Sequence, residues 1–168
     1  MKRHPALHPL SHHHHHALAA AKRLKMAGIQ HKGYRLEEVR DLLAAFWHSG
    51  GQAHFREEEE VLLPAYAQYA SPDHPEIVRM LLEHIQIRSL IDQILNRGIL
   101  TEKIMEQLGY LLEGHIRREE RVIFPLMEQV IPDERLQELA PYFHMNYESN
   151  APSIIPPMPS RVTPPPPK

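Results

Sequence analysis

Two segments of the chain carry the same pattern of histidine, glutamate and proline. Residues 54–64 read HFREEEEVLLP, and residues 115–125 read HIRREERVIFP. In an α-helix, the fourth residue after a given one lies one turn further along and close to the same face. His54 therefore shares a face with Glu58, and His115 shares one with Glu119. Because an imidazole and a carboxylate placed this way can bind one metal ion and bridge to another, the repeat predicts a two-metal site.

Four long stretches have the apolar spacing of helices that could position these side chains. The predicted helices cover about residues 11–26, 35–69, 75–96 and 101–126. Ser11 and Thr101 are the predicted caps of the first and the last, and two glycines at 50 and 51 interrupt the second. No segment alternates as a strand does. The predicted fold is all-α, an antiparallel up-down-up-down four-helix bundle.

The end of the chain differs in composition from the rest. Pro132 and Asp133 predict the start of a short fifth helix. Eight prolines follow within residues 151–168, and a segment of this composition predicts a disordered or polyproline tail. We therefore expect a bundle over 8–131, a short C-terminal helix and extension over 132–150, and a Pro-rich tail over 151–168.

Each of the four helices is predicted to present one histidine on its inner face, and two of them add a glutamate. Two buried carboxylates without cations would each cost several kcal/mol, and metal ions remove that cost. Alternatively, the glutamates face water within the charge runs REEEE and RREER, but the whole motif repeats, including its valine and proline. Donors without sulfur suit iron, manganese or zinc. The candidate ligands are His14, His54, Glu58, His84, His115 and Glu119.

Several neighbouring residues allow more than one interpretation. The run of five histidines at 12–16 could be a purification tag, although it lies inside a helix-forming stretch. Within it, His15 could supply an extra ligand if the first helix is rotated. Arg88 could form a salt bridge with a metal-bound carboxylate or extend outward to solvent. The other glutamates of the motifs are expected to be solvated, with Glu59 or Glu120 able to hydrogen-bond to ligands.

Composition excludes several functional classes. With 168 residues the chain has room for one ordinary domain. It has no cysteine, which excludes disulfides, iron–sulfur clusters and thiolate zinc sites. A net charge of −2 gives no indication of nucleic-acid binding. No apolar run approaches the roughly 20 residues of a membrane span, and a cytoplasmic location is expected.

The chain resembles the hemerythrin-like (HHE cation-binding) family in four motifs. These are L-x-x-x-H ending at His14, the two repeated segments, and EHIQIR at residues 83–88. The resemblance covers about residues 8–131 and implies an antiparallel four-helix bundle with two non-haem iron ions, often oxo- or hydroxo-bridged. The family's ligands correspond to the six candidate residues named above.

Two departures from the oxygen carriers of this family bear on function. Those proteins have a second histidine where this chain has Arg88, and they end with H-x-x-x-x-D rather than H-x-x-x-E. The resemblance therefore implies a di-iron protein that reacts with or senses a small molecule, namely oxygen, nitric oxide or peroxide. A regulatory or iron-sensing module with a structural metal is the alternative. An oxidase-like activity stays open, although a metal-binding protein is favoured over an enzyme.

Overall fold

The computed structural model describes residues 2–29 and 34–143, and within those ranges every regular element is helical. This confirms the all-α prediction. The end of the predicted extension and the Pro-rich segment 151–168 lie outside the described residues. No helix in the described ranges is long and apolar enough to cross a membrane.

The helices follow the predicted order, but two of the predicted ones are divided. Their bounds are α1 His8–Lys25, α2 Leu36–Phe46, α3 Gln52–Glu57, α4 Leu63–Tyr66, α5 Pro75–Leu95, α6 Glu102–Arg118, α7 Phe124–Val130 and α8 Asp133–Leu139. The predicted second helix corresponds to α2, α3 and α4, and the predicted fourth helix to α6 and α7. Helix α8 is the predicted fifth helix.

The start of α1 differs from the prediction. The prediction placed its N-cap at Ser11, whereas the helix begins at His8, directly after a 3-10 turn at Pro5–Leu7. Pro9 explains the earlier start, because a proline in the first helical turn removes an N–H that would have no partner there. The end of α1 agrees with the prediction, since Gly28 follows it with a φ of 76°.

Three irregular turns divide the long helices, at Trp47–Gly51, Glu58–Leu62 and Glu119–Ile123. The first is a kink at the glycine pair that predicted an interruption, because the backbone of Gly50 is not helical there. The other two are π turns, which start at corresponding glutamates of the repeat and precede Pro64 and Pro125. A proline has no N–H to bond to the carbonyl four residues before it, so an ordinary α-helix cannot continue through these positions unchanged.

The π turns change which residues face the core. The N–H of Phe124 bonds to the carbonyl of Glu119, five residues earlier, so the turn holds one extra residue. The uniform helical spacing predicted Val122 on the inner face, but its side chain is 39 % exposed and Ile123 is fully buried instead. The prediction for Val122 is therefore wrong, because it assumed 3.6 residues per turn throughout.

Four helical columns surround the core. Helix α1 packs against α2 and α6, and α5 packs against the same two helices. The apolar interior forms two clusters that do not merge. One includes Leu10, Leu62, Met80, Phe124 and Met127, and the other includes Ala17, Leu43, Ile87, Leu108 and Leu112.

The closest approach of α1 to α6 depends on Gly109. A Cβ added there would lie 2.9 Å from the carbonyl oxygen of Ala21 and 3.0 Å from the amide nitrogen of Lys25, both backbone atoms of α1. A Cβ added at Gly114, in the same helix, would contact nothing within 4 Å.

These two glycines provide a matched test of the packing. Gly109→Ala should lower the free energy of unfolding by about 1–3 kcal/mol, because α1 would have to move away. Gly114→Ala should raise it by about 0.5–1 kcal/mol, because alanine is the better helix former. Urea unfolding of both variants measures the difference. Equal stabilisation by the two substitutions would contradict the close contact.

Candidate metal centre

The six predicted ligands form one buried layer between the two apolar clusters. Along α1, for example, His14 lies between Leu10 of one cluster and Ala17 of the other. None of the six is more than 3 % exposed, and Glu58 and His84 are fully buried. The structure therefore brings together all six residues that the sequence singled out.

The four imidazoles form two pairs, and each pair joins facing helices. The Nε2 atoms of His14 and His54 lie 3.0 Å apart, and those of His84 and His115 lie 3.1 Å apart. Two nitrogen ligands about 2.1 Å from one metal ion and at right angles to each other would be separated by about 3.0 Å. Both pairs thus have the spacing of neighbouring ligands of a single ion.

Each carboxylate has one oxygen near each imidazole pair. Glu58 places Oε1 3.3 Å from Nε2 of His54 and Oε2 3.4 Å from Nε2 of His84.

Glu119 repeats the arrangement from the other side. Its Oε2 lies 3.1 Å from Nε2 of His14, and its Oε1 lies 2.8 Å from Nε2 of His115. Both side chains therefore have the placement of carboxylates that bridge two ions.

The carboxylate oxygens support occupation by metal ions. All four oxygens of Glu58 and Glu119 are buried, and none makes a contact with hydrogen-bond geometry within the described residues. Buried oxygens without such partners are costly. Four imidazole nitrogens that face the same space, with no sulfur among the donors, fit iron, manganese or zinc.

A second set of carboxylates orients three of the imidazoles. Nδ1 of His84 lies 2.7 Å from Glu59, and Nδ1 of His14 lies 2.6 Å from Glu120. Nδ1 of His115 lies 3.0 Å from an oxygen of Glu83, a residue outside the repeat. Because an ionised carboxylate can only accept a hydrogen bond, each Nδ1 donates and Nε2 remains available to a metal.

Arginines hold this outer set in place. Arg88 donates to both oxygens of Glu59, at 2.7 and 3.0 Å. Arg3 lies 2.9 Å from Glu120, on the other side of the bundle. Arg88 therefore neither contacts Glu58 or Glu119 nor extends freely to solvent. It binds the carboxylate that orients a predicted ligand.

The outer set breaks the symmetry of the repeat at one position. His115 Nδ1 is held by Glu83, which is in turn paired with Arg118. Within the described residues, Nδ1 of His54 has no hydrogen-bond partner. His13 corresponds to Glu83 in the register of the helices, and its ring stacks on that of His54 at 4.9 Å. The two halves of the centre are therefore inequivalent.

The structure decides between several of the open alternatives. His15 is exposed and cannot join the cluster, whereas His13 and His14 are buried. The histidine run is thus part of the fold rather than an added tag. Glu57, expected to be solvated, is only 8 % exposed.

The roles of Glu83 and His13 were missed by the sequence analysis. The only signal for either residue was its position directly before a predicted ligand. Glu83 starts the motif EHIQIR, and His13 lies inside the histidine run.

The buried carboxylates also determine the protonation of the imidazoles. Burial acts to lower the pKa of His14, but the adjacent carboxylates of Glu119 and Glu120 outweigh it and raise the pKa to about 9. For His84, burial is likewise outweighed by three carboxylates, and the pKa rises to about 11. Burial would raise the pKa of Glu58 and Glu119, but the facing imidazoles lower it. Protons on the imidazoles can therefore neutralise these carboxylates when no metal does.

A small cavity of about 10 Å³ adjoins one imidazole pair. It touches His14, His54 and Glu119, and its remaining wall is mostly apolar, with Trp47 and Phe55 among the lining residues. A space of this size holds about one water molecule. A small, weakly polar molecule could therefore approach this half of the centre.

Comparison with known proteins supports a metal centre. The family model of the hemerythrin HHE cation binding domain matches residues 5–127, a range that contains all six predicted ligands. No curated protein and no solved structure matches the chain. The family match and the buried histidine–glutamate cluster together indicate metal binding.

Metal binding should release protons. With pKa values of about 9 and 11, His14 and His84 are both protonated at pH 7 before metal binds, and each must lose a proton to become a nitrogen ligand. Adding Zn²⁺ to the metal-free protein at pH 7 should therefore release about two or more protons per chain. A pH indicator in weak buffer measures this. His15→Gln should leave the release unchanged, and metal binding without proton release would contradict the assigned protonation.

The outer carboxylates should contribute to metal affinity. Glu59→Ala removes the acceptor for Nδ1 of His84 and should weaken metal binding by about 10- to 100-fold. Glu60→Ala is the matched control, since Glu60 is the next residue along and pairs with Arg56 at 3.1 Å. Competition with a chromophoric chelator compares the two. Equal affinities would show that Glu59 does not support the site.

Proposed function

The chain belongs to the hemerythrin HHE cation-binding domain family, and we propose that it holds two non-haem iron ions that react with or sense a small molecule such as oxygen, nitric oxide or peroxide. In this proposal, His14 and His54 would hold one ion, and His84 and His115 would hold the other. Glu58 and Glu119 would each supply an oxygen to both. The four helical columns run antiparallel, with the bundle over residues 8–131 as the metal-binding unit.

The observation that carries the proposal is the division of each buried carboxylate between two imidazole pairs. A single ion would need only one pair, and a hydrogen-bonded polar core would not leave four carboxylate oxygens without hydrogen-bond geometry. Two bridged ions use every donor that faces the centre. The family match supports the same conclusion.

The number of protein donors supports binding of an additional small molecule. Each proposed ion would have two imidazole nitrogens and one oxygen from each of two carboxylates, which makes four donors. Iron of this type commonly binds up to six, so positions remain for small ligands. The small, mostly apolar cavity beside His14 and His54 limits a further ligand at that ion to a small molecule. Two ferrous ions would supply the electrons for oxygen reduction or a binding position for nitric oxide.

The residues of the chain orient the imidazole rings and exclude water from the centre. Phe55 stacks on His84 with ring centroids 3.8 Å apart, and Phe124 stacks on His14 at 5.3 Å. Glu59 and Glu120 keep a proton on Nδ1 and thereby keep Nε2 directed at the centre. These contacts fix the rings before metal binds, which reduces the cost of assembling the site.

Metal content and optical spectra test the proposal. The untagged protein should contain two irons per chain and show near-ultraviolet charge-transfer bands that bleach on anaerobic reduction and change again on exposure to air. His54→Ala and His115→Ala should each lose metal after chelation and reloading.

His15→Ala provides the matched control, because His15 is exposed and next to a predicted ligand. It should retain full metal content. If the two ligand variants also retain it, the assignment is wrong. A zinc-loaded protein without oxygen chemistry, unfolded by chelation, would instead support a structural or iron-sensing metal site.

A further inference from the structure

A second, larger cavity lies outside the metal centre, as a groove between α1 and α2. Its volume is about 510 Å³, within the roughly 300–1,000 Å³ of small-molecule sites. The groove exists because Ala19, Ala20 and Ala45 leave space where larger side chains would fill it. Leu42 and Phe46 complete the apolar part of the lining, and Leu42 is 47 % exposed there.

The polar groups of the groove include one cation and no carboxylate within the described residues. Arg23, His12, His16 and Ser49 can each donate a hydrogen bond to a ligand there. Arg23 is held in position by Tyr34, whose ring centroid lies 4.4 Å from the guanidinium carbon. A guanidinium is charged at every physiological pH. The groove thus combines an apolar floor with a fixed positive charge.

The groove and the small cavity of the metal centre share two side chains. His13 and Phe46 line both spaces, and their rings stack at 5.5 Å with an angle of 19° between the planes. They therefore form the wall between the groove and the predicted ligand His54. A molecule in the groove would lie against the outer side of this wall.

We propose that the groove is a binding site for a small organic anion with an apolar body, an aromatic or aliphatic carboxylate or sulfonate. The apolar body lies over Ala19, Ala45 and Leu42, and the acid group pairs with Arg23 and accepts hydrogen bonds from the neighbouring imidazoles. This site goes beyond the proposed metal function and does not require it. Its ligand touches no predicted metal ligand.

Two fluorescent probes that differ only in the acid group test the proposal. The anion 8-anilinonaphthalene-1-sulfonate should bind the metal-loaded, full-length protein at one saturable site per chain. Its neutral counterpart, N-phenyl-1-naphthylamine, should bind more weakly. Fluorescence titration gives the affinities, and isothermal titration calorimetry gives the stoichiometry.

Two pairs of variants locate the site and identify its charge. Ala45→Trp fills the groove and should weaken binding of the anion by about tenfold or more, whereas Ala67→Trp, at another exposed alanine, should leave it unchanged. Arg23→Gln should weaken binding of the anion by about three- to tenfold and leave binding of the neutral probe unaffected. Lys22→Gln removes a charge from the adjacent residue and should change neither.

Three results would overturn the proposal. One is equal loss of binding in Ala45→Trp and Ala67→Trp, which would place the probe elsewhere. Another is that the protein binds the two probes with equal affinity and that Arg23→Gln changes neither affinity, which would show that the site does not select an anion. The last is a dimer that dissociates in Ala45→Trp and binds neither probe, which would make the groove a contact between two copies. None of these outcomes depends on the identity of the metal.

Discussion

The central constraint on this fold is the burial of two glutamate side chains between two apolar layers. Negative charge at that depth must be neutralised by metal ions or by protons. The surrounding residues meet this requirement from the inside outward. Four imidazoles face Glu58 and Glu119, further carboxylates hold three of the imidazoles, and arginines near the surface hold those carboxylates. The last step reaches solvent, where an arginine costs little.

The repeat gives the centre an approximate two-fold symmetry that holds near the metal and fails further out. Glu58, Glu119 and the four imidazoles correspond closely, and so do Glu59 and Glu120. The next positions do not, because Glu83 and Arg118 on one side correspond to His13 and Glu57 on the other. One half of the centre is therefore enclosed by a salt bridge, while the other is next to the small cavity and the groove.

Much of the fold and most of the site followed from local sequence patterns. Helical spacing of apolar residues and the repeated motif identified the four columns and all six clustered side chains, because both signals depend on residues a few positions apart. What was missed depends on long-range contacts or on irregular geometry. Glu83 acquires its role only from His115, a residue on another helix. That His13 faces inward and His15 does not depends on how α1 packs against the other helices. The error at Val122 arose from the π turn.

The π turns that begin at Glu58 and Glu119 change the direction in which the following side chains of their helices point. Each adds one residue directly after Glu58 or Glu119, so the segment beyond it is rotated by about 100° relative to a continuous α-helix. Leu62 and Tyr66 face the core only because of that offset. Loss of a single residue between Glu58 and Pro64 would cancel it and turn the following apolar side chains away from their partners. The number of residues in each motif is therefore as strictly constrained as the identity of its predicted ligands. In the sequence, this constraint corresponds to the equal spacing from glutamate to proline in the two motifs.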